Sequence, residues 1–231
     1  MTSTLTQLPT STAWLLHVST DIVMFSIWHD SLHVLLRQRY SETSNKSDWA
    51  LPGGYIRPTE SLEQCARRTL AQQTGVHDAY LEQLYTFGRP DRHPRSRVIT
   101  ISYLALIPNQ RANDIIDSPN IRWRDLAGLP RLYLDHVEII NLARHRLVSK
   151  LGYSTIAFRF APEMFTLSEL QHIYEAIYGE PLDKRNFRKR ILAQENVVKT
   201  GQYQRNCAHR PARLYRYVRD GSLAPQAGIS E

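Results

Sequence analysis

The sequence predicts a protein of two parts, an α/β domain followed by a smaller domain of helices and a β-hairpin. Three observations lead to this prediction. Apolar runs of β type and segments with helical spacing alternate up to residue 150. Beyond residue 152, two helical patterns separated by Gly-Glu-Pro precede two short β-type runs. Basic residues are concentrated in this second part, so the two parts differ in composition as well as in pattern.

Chain length and composition indicate a globular protein. A chain of 231 residues with 42% hydrophobic and 22% charged residues can bury a sizeable core, and it is not typical of a disordered or fibrous protein. Cys65 and Cys207 lie far apart, which favours neither a disulfide framework nor a zinc site. No basic residue precedes Arg37, and no run of about 18 apolar residues occurs. We therefore expect a cytoplasmic protein that does not bind a membrane.

The net charge of +7 is unevenly distributed. Between Pro181 and Arg219 there are 11 lysines and arginines, and the acids are Asp183 and Glu195 alone. The rest of the chain has 18 basic and 20 acidic residues. A near-neutral body with one strongly basic end is typical of a protein that contains a nucleic-acid-binding module.

Four β-type runs are predicted in the first domain, at 21–28, 32–39, 81–86 and 98–107. The first two flank a short polar turn and predict a hairpin. The loop 88–97 between the last two contains four arginines. Period-two alternation is weak in these runs, as expected of central strands that are buried on both faces. A helical pattern over 135–150 ends the domain, and residues 151–154 are the predicted hinge.

Residues 51–76, LPGGYIRPTESLEQCARRTLAQQTGV, combine a glycine turn with a helix. We predict this helix from about residue 60 to residue 74. Its N-cap is either Thr59 or Ser61, and Ser61 would form a capping box with Gln64 three residues later. Gly75 supplies the C-terminal stop.

The second domain is predicted from two capped helical patterns. Thr166 and Glu169 form the T-x-x-E of a capping box before an apolar stripe. After a tight Gly-Glu-Pro turn, Asp183 is placed to cap a second, basic helix. The runs between residues 197 and 218 predict a hairpin with a basic tip at 205–210. Helix, turn, basic helix and hairpin is the order of a winged helix-turn-helix domain.

The basic helix has the residue types that read DNA. In a helix-turn-helix, the second helix enters the major groove and its early residues meet base edges. Arg185, Asn186 and Lys189 suit base readout, because Arg and Lys pair with guanine and Asn pairs with adenine. The candidates that suit phosphate contacts are Lys184, Arg188, Arg205 and Arg210. A merely solvated basic face is the weaker interpretation, because a capped helix, a tight turn and a hairpin accompany it.

The pattern of residues 51–76 resembles the Nudix box, G-x5-E-x7-R-E-U-x-E-E-x-G-U, in which U is aliphatic. The positions that agree are Gly54, Glu60, Arg68, Leu70, Gly75 and Val76. Thr69, Gln72 and Gln73 stand where the family has glutamates. The resemblance implies a pyrophosphohydrolase that uses Mg²⁺, which needs several anionic oxygen ligands. With three neutral side chains we expect no metal site and no catalytic residues, and we interpret Glu60 and Glu63 as solvated carboxylates near a helix N-terminus.

Loss of these acids leaves the means to bind an anionic ligand. Gly53 and Gly54 allow the backbone to approach a ligand closely, and a helix N-terminus favours anions. Positive charge for a diphosphate is expected from Arg37, Arg39, Arg92, Arg95 and Arg97. A solvated charged loop is the alternative for each arginine, and His93 is interpreted as a loop residue rather than a ligand.

Over residues 15–218 the chain is similar to NrtR-type Nudix-related transcriptional regulators. The similarity lies in residues 51–76 and in the stretches FGRPDRHPRSRVITISYLAL, FTLSELQHIYEAIYGEPLDKRNFRKRIL and RPARLYRY. It implies an N-terminal Nudix-type α/β/α sandwich with a mixed sheet, followed by a C-terminal winged helix-turn-helix domain. We place the first domain at 13–152 and the second at 153–219, with flexible segments at 1–12 and 220–231.

The resemblance also implies a function. NrtR-type regulators are homodimeric repressors of NAD-metabolism genes, in which the Nudix domain senses ADP-ribose or a related nucleotide and the winged helix binds a palindromic operator in double-stranded DNA. No cofactor is implied. The family usually has an aspartate at the position of His93. Three alternatives stay open: a Nudix pyrophosphohydrolase with non-standard catalytic residues, a sugar-responsive regulator of the same architecture, and an RNA-binding or scaffold protein.

Overall fold

The computed structural model describes residues 16–41, 46–113, 115, 119–204 and 211–218. The strands in these ranges are β1 (Leu16–Trp28), β2 (Ser31–Ser41), β3 (Lys46–Ala50), β4 (Gly53–Tyr55), β5 (Tyr80–Phe87), β6 (Arg97–Leu106), β7 (Ile121–Asp125), β8 (Val197–Tyr203) and β9 (Arg213–Tyr217). The helices are α1 (Leu62–Thr74), α2 (Asn109–Ala112), α3 (His136–Leu151), α4 (Leu167–Tyr178) and α5 (Lys184–Leu192). The predicted flexible segments, Cys207, and the DNA-binding candidates Arg205 and Arg210 lie outside the described residues.

Strand β1 is the centre of a mixed sheet, as predicted. It is antiparallel to β2 through its second half and to β4 through Ser19–Asp21, and it is parallel to β6. The order across the sheet is β3-β2-β1-β6-β5, with β7 also paired to β2. The strand begins at Leu16, five residues before the predicted start at Asp21. Its polar first half is held by ladder hydrogen bonds rather than by an apolar pattern, so hydrophobic periodicity alone does not find it.

The two faces of this sheet bury different helices. Ile22 and Met24 point to one face, where they join a core cluster that includes Leu70 of α1. Val23 and Phe25 point to the opposite face, into a cluster that includes Ile139 and other residues of α3. All four strand residues have no exposed surface, because neighbouring residues of a strand point to opposite faces and both faces are covered. These layers form the predicted α/β/α sandwich.

Helix α1 begins at Leu62, because Ser61 is its N-cap. The Ser61 hydroxyl accepts a hydrogen bond from the Gln64 backbone N–H, and the Gln64 side chain accepts one from the Ser61 N–H. This capping box decides between the two predicted N-caps in favour of Ser61, and the helix starts two residues later than predicted. Gly75 ends the helix in the left-handed conformation, with φ of 75°.

The second domain has the predicted order of elements. Thr166 and Glu169 form the capping box of α4, and Gly179, with φ of 79°, ends that helix. Asp183 caps α5, whose Phe187 and Ile191 are buried. Strands β8 and β9 form the antiparallel hairpin. None of the described helices is long and apolar enough to span a lipid bilayer.

One apolar core extends from the sheet into the second domain. It includes Phe25 of β1, Leu147 of α3, Leu170 of α4, Ile191 of α5 and Tyr215 of β9. Helix α3 contacts both β1 and α4, and α4 also contacts β2 directly. The packing of α4 is therefore tied to the position of α3, although the two helices belong to different predicted domains.

Candidate functional site

A cavity of about 240 Å³ opens beside the glycine turn that joins β3 to α1. Asp21 pairs with Gly53, and Thr20 pairs with Gly54, where β4 runs along β1. A Cβ atom on Gly53 would lie 2.3 Å from Oδ1 of Asp21 and 2.8 Å from the Thr20 carbonyl oxygen, so this position requires glycine. The residues that line the cavity are Ser19, Asp21, Arg37, Arg39, Ala50, Leu51, Gly53, Gly54, Tyr55, Arg92, His93, Val98, Tyr133, Leu134 and His136.

Arg92, which lines this cavity, belongs to a buried ion pair. Arg92 donates from Nε to Oδ2 of Asp135 at 2.9 Å and from Nη2 to Oδ1 at 2.7 Å. Its side chain is 3% exposed, and Nη2 also lies 3.7 Å from Oδ2 of Asp21. The two carboxylates already compensate the charge of Arg92, although the sequence suggested this arginine as a ligand for a diphosphate. Here it holds the arginine-rich loop against the start of α3.

His136, in the first turn of α3, lines the cavity in its neutral form. Its Nδ1 accepts a hydrogen bond of 2.9 Å from the Leu51 backbone N–H, which leaves the proton on Nε2. Nε2 lies 3.8 Å from Oδ1 of Asp21. Burial lowers the pKa of His136, and the nearby Asp21 and Asp135 only partly offset this. The preceding Leu134 has φ of 47°, an unfavourable conformation for a leucine, at the cavity wall.

Two arginines of β2 supply positive charge to the opposite wall. Arg37 Nε is buried and has no hydrogen-bond partner among the described residues. Burial and the charge of Arg39 lower the pKa of Arg37, while Asp21 acts in the opposite direction. The Arg39 guanidinium lies 4.1 Å from the centre of the Tyr133 ring. Within the described ranges Arg37 keeps an Nε donor without an acceptor, and both arginines bring positive charge to the cavity, which favours an anionic ligand.

The remaining arginines of the predicted ligand set do not lie in the cavity wall. Arg97 donates from Nη1 to the Arg89 carbonyl oxygen at 2.9 Å and thereby closes its own loop. Arg95 is exposed in the same loop, and its backbone N–H donates to Nδ1 of His93. His93 itself does line the cavity, and its pKa is lowered by burial and then by nearby arginines, chiefly Arg39. His93 therefore lies in the cavity wall, although the sequence suggested a loop residue rather than a ligand-binding one.

The three neutral residues of the box lie behind the glycine turn. Gln73 Oε1 accepts from the Gly53 N–H at 3.2 Å, and Gln73 Nε2 donates to the Gly53 carbonyl oxygen at 2.9 Å. Thr69 is 1% exposed, and its Oγ1 is buried without a partner among the described residues. Gln72 is exposed and accepts from Nη1 of Arg68 at 3.2 Å. No group of three or more His, Cys, Asp or Glu in the described ranges is placed to hold a metal ion.

Glu60 is not the solvated carboxylate that the sequence suggested. Arg68 donates to it from Nε at 2.8 Å and from Nη2 at 2.6 Å, and the Glu60 side chain is 11% exposed. The hydrogen bond from Arg68 lowers the pKa of Glu60 to about 2. Helical spacing did not reveal this pair, because Glu60 precedes the helix. Glu63 lies on the surface as expected, paired with the exposed Arg67 at 2.8 Å.

The second candidate surface is the outer face of α5. The predicted DNA contacts on this helix are all exposed, namely Lys184, Arg185, Asn186, Arg188 and Lys189. Phe187 faces inward and packs edge-on against Tyr174 of α4, with ring centres 5.2 Å apart. Arg190 is also exposed, and its guanidinium lies 5.3 Å from the Tyr174 ring centre. Sequence reasoning did not select the exposed basic residues of the hairpin strands, Lys199, Arg213 and Arg216.

Comparison with known protein families covers both domains. Residues 16–142 match the NUDIX domain. Residues 157–217 match the NrtR DNA-binding winged helix domain. The two matches follow the order predicted from the sequence, and they confirm an α/β Nudix fold followed by a winged helix-turn-helix.

Individual relatives include regulators and an enzyme. The ADPR responsive transcriptional repressor NtrR of Acinetobacter baylyi is 37% identical over 207 residues, which cover 87% of this chain and 82% of that protein. The ADP-ribose pyrophosphatase of Methanocaldococcus jannaschii is 32% identical over 96 residues, covering 42% of this chain and 57% of that protein. Shewanella oneidensis NrtR, solved with a 27mer DNA, is 37% identical and superposes with a TM-score of 0.78, covering 87% of this chain and 93% of that one. The chain belongs to the NrtR family, with a NUDIX domain followed by the NrtR DNA-binding winged helix domain.

Proposed function

We propose that this protein is a transcriptional repressor that binds DNA through its winged helix and senses ADP-ribose or a related nucleotide in the cavity beside Gly53 and Gly54. The observation that carries the proposal is a combination of two features: a cationic cavity on a box that lacks three of its glutamates, and an exposed basic α5. An enzyme needs to transform its ligand, whereas a sensor needs only to bind it.

DNA binding is supported by the separation of buried apolar residues and exposed basic residues on α5. The helix is anchored by Phe187 and Ile191, so its basic residues project away from the core. In our proposal Arg185, Asn186 and Lys189 contact bases, and Lys184 and Arg188 contact phosphates, together with Arg205 and Arg210, which lie outside the described residues. The similarity to a structure of Shewanella oneidensis NrtR with DNA supports DNA binding by this chain.

Nucleotide sensing is supported by the charge of the cavity. Arg37 and Arg39 suit a diphosphate, and the glycine turn permits close approach of a ligand. The description of the Acinetobacter baylyi relative as ADPR responsive favours ADP-ribose over a sugar. The structure does not bring Arg95 and Arg97 into the cavity wall, so we assign the diphosphate to the two β2 arginines.

Helix α3 can couple the two sites. Its first residue, His136, lines the cavity, while Leu147 further along belongs to the core shared with α4. A ligand changes DNA affinity only if it favours one arrangement of these elements by a difference in free energy. We propose that ADP-ribose favours an arrangement of α3 and α4 in which α5 no longer fits DNA, so that the ligand releases the repressor.

The absence of catalysis is also part of the proposal. Thr69, Gln72 and Gln73 offer no anionic oxygen, and Glu60 is held by Arg68. The similarity to an ADP-ribose pyrophosphatase over part of the chain favours the competing view, a hydrolase with a base elsewhere. Incubation of the full-length chain with ADP-ribose and Mg²⁺ or Mn²⁺ separates the two. We expect no turnover, and catalysis at rates of about 1 per second or more, typical of enzymes, would contradict the proposal.

We further propose a homodimer in the cytoplasm that binds a palindromic operator and regulates genes of NAD metabolism. A palindrome follows naturally from a two-fold symmetric dimer with one recognition helix per half-site. We place the division between the domains at residues 152 and 153, since α3 ends at Leu151.

A gel shift on the DNA upstream of the protein's own gene tests the main proposal. We expect retardation by the chain alone and less retardation when ADP-ribose is added. A thermal-shift panel of ADP-ribose, NAD, other nucleotides and pentoses identifies the ligand, because only a compound that binds the folded state raises the melting temperature. Stabilisation by a pentose alone would favour the sugar-responsive regulator instead.

A further inference from the structure

We infer that Gln73 is a positioning residue whose amide holds the ligand-facing glycine turn, so that nucleotide binding by this chain requires no divalent cation. The inference rests on the proposed nucleotide-binding function. It concerns the role of Gln73 at a position where the Nudix box has a glutamate.

The Gln73 amide makes two hydrogen bonds to one residue. Its oxygen accepts from the Gly53 N–H at 3.2 Å, and its nitrogen donates to the Gly53 carbonyl at 2.9 Å. Gly53 lies in β4, opposite Asp21, and lines the cavity. The side chain of α1 therefore fixes both polar backbone groups of a residue that faces the ligand. We call this pair of hydrogen bonds the amide clamp.

The glutamate of the Nudix box cannot make both bonds of the clamp at neutral pH. A glutamate in the same position accepts from the Gly53 N–H, but its second oxygen would face the Gly53 carbonyl without a proton to donate. The change from glutamate to glutamine thus removes a negative charge and adds a donor. In this chain the added N–H group donates to the Gly53 carbonyl oxygen. In an acidic Nudix box, the glutamate oxygens stay available to bind a cation.

The neighbouring residues leave no place for a cation behind the turn. Thr69 is buried, and its Oγ1 lies only 2.9 Å from where a Cβ on Gly54 would be, so the helix packs directly against the turn. Glu60 is engaged twice by Arg68, which also donates to Gln72. The residues present do not fit Mg²⁺, which prefers several carboxylate or water oxygens in octahedral geometry. Charge for the phosphates must then come from arginines such as Arg37 and Arg39.

Calorimetric titration of ADP-ribose into the full-length chain tests this inference. We expect wild-type affinity to change by less than about twofold between EDTA and millimolar Mg²⁺, since the described residues offer no cluster of three or more ligands for the cation. Gln73→Met keeps the length of the side chain and removes both hydrogen bonds, so we expect affinity to fall by about tenfold or more. Gln72→Met is the matched control on the exposed side of α1, with an expected change below about twofold.

A pH profile separates positioning from a merely structural role. In Gln73→Glu, the carboxyl group can donate to the Gly53 carbonyl only when it is protonated. We expect the affinity of this variant, relative to wild type, to recover as pH falls towards the ordinary glutamate pKa of about 4.3, while the ratio for Gln73→Met stays constant. Thermal denaturation of each variant verifies that the chain is folded.

Amide hydrogen exchange at Gly53 tests the clamp without ligand. We expect slow exchange in the wild type and exchange faster by about tenfold in Gln73→Met. Unchanged exchange, or wild-type affinity in a folded Gln73→Met, would overturn the inference, as would strengthening of wild-type binding by Mg²⁺. A wild-type chain that binds no ADP-ribose would overturn the proposed function, and Gly53 exchange would still decide whether the clamp exists.

Discussion

Arg92 and Asp135 form a two-bond ion pair between residues 43 positions apart, with donor–acceptor distances of 2.9 and 2.7 Å. The pair fastens the loop between β5 and β6 to the residue that precedes α3. Because α3 begins at the cavity and continues to α4, this contact fixes the geometry of the wall at which a ligand would act.

Removal of Arg92 should strongly destabilise the fold. Arg92→Ala leaves the buried Asp135 without its ion-pair partner, and breaking a buried pair in this way costs about 3–5 kcal/mol. The control is Arg89→Ala in the same loop, where the partner Glu138 lies 3.1 Å away on the surface and both side chains are more than half exposed. That change should cost about 0–1 kcal/mol. Urea denaturation gives the unfolding free energy of both variants. An equal loss of stability in the two would contradict the stabilising role of the buried pair.

Acid should destabilise the protein through His136. Burial lowers the pKa of this residue in the folded state, so the unfolded chain takes up the proton first as pH falls. The stability contributed by neutral His136 is complete above the unfolded pKa of about 6.5 and is lost as pH falls below it. In His136→Asn, which cannot be protonated, the unfolding free energy should fall less between pH 7.5 and pH 5.5. The same dependence of the unfolding free energy on pH in His136→Asn and in the wild type would contradict this prediction.

Arg37 should favour ligand binding at the expense of stability. Its guanidinium is partly buried, and Nε has no hydrogen-bond partner among the described residues, so Arg37→Met should leave the free energy of unfolding unchanged or higher. ADP-ribose affinity should fall by about 1.5–3 kcal/mol, or about ten- to a hundredfold, with the loss of a charge-assisted hydrogen bond. Arg97→Met, outside the cavity wall, is the control for calorimetry. Equal ADP-ribose affinity of Arg37→Met and Arg97→Met would show that Arg37 does not contact the ligand.

Two α5 variants should weaken DNA binding in different ways. Arg185→Ala should cost about 1–3 kcal/mol for the operator and much less for unrelated DNA if the residue reads a base. Arg188→Ala should weaken binding to all sequences alike and reduce the salt slope by about one if the residue contacts a phosphate. Arg67→Ala, on the exposed side of α1, should bind as the wild type does. Anisotropy titrations at several salt concentrations decide among these outcomes, and unchanged binding by both α5 variants would place the DNA-binding surface elsewhere.

Local spacing predicted most of the fold. The capping boxes at Ser61 and Thr166 and the left-handed stops at Gly75 and Gly179 involve residues within four positions, so the sequence displays both members of each interaction. Prediction was weaker for β1, whose polar first half pairs with strands that come later in the chain.

The cavity could be predicted only in part. Arg37 and Arg39 lie in β2 and the two glycines in β4 of the same sheet, and their residue types alone suggested an anion site. Tyr133 and His136 were missed because they reach the cavity only through long-range folding. The same limit applies to charge, because a run of arginines in sequence does not reveal that Arg92 is paired with Asp135.

The central claim is that one cavity controls DNA binding. The most direct measurement is the anisotropy of a fluorescent upstream-DNA fragment, bound to the full-length protein, as ADP-ribose is added. The account predicts release of DNA from the wild type. It also predicts that Arg37→Met binds DNA as tightly without ligand but needs at least about tenfold more ADP-ribose for release. Release of both proteins at the same ADP-ribose concentration, or no release of the wild type, would contradict it.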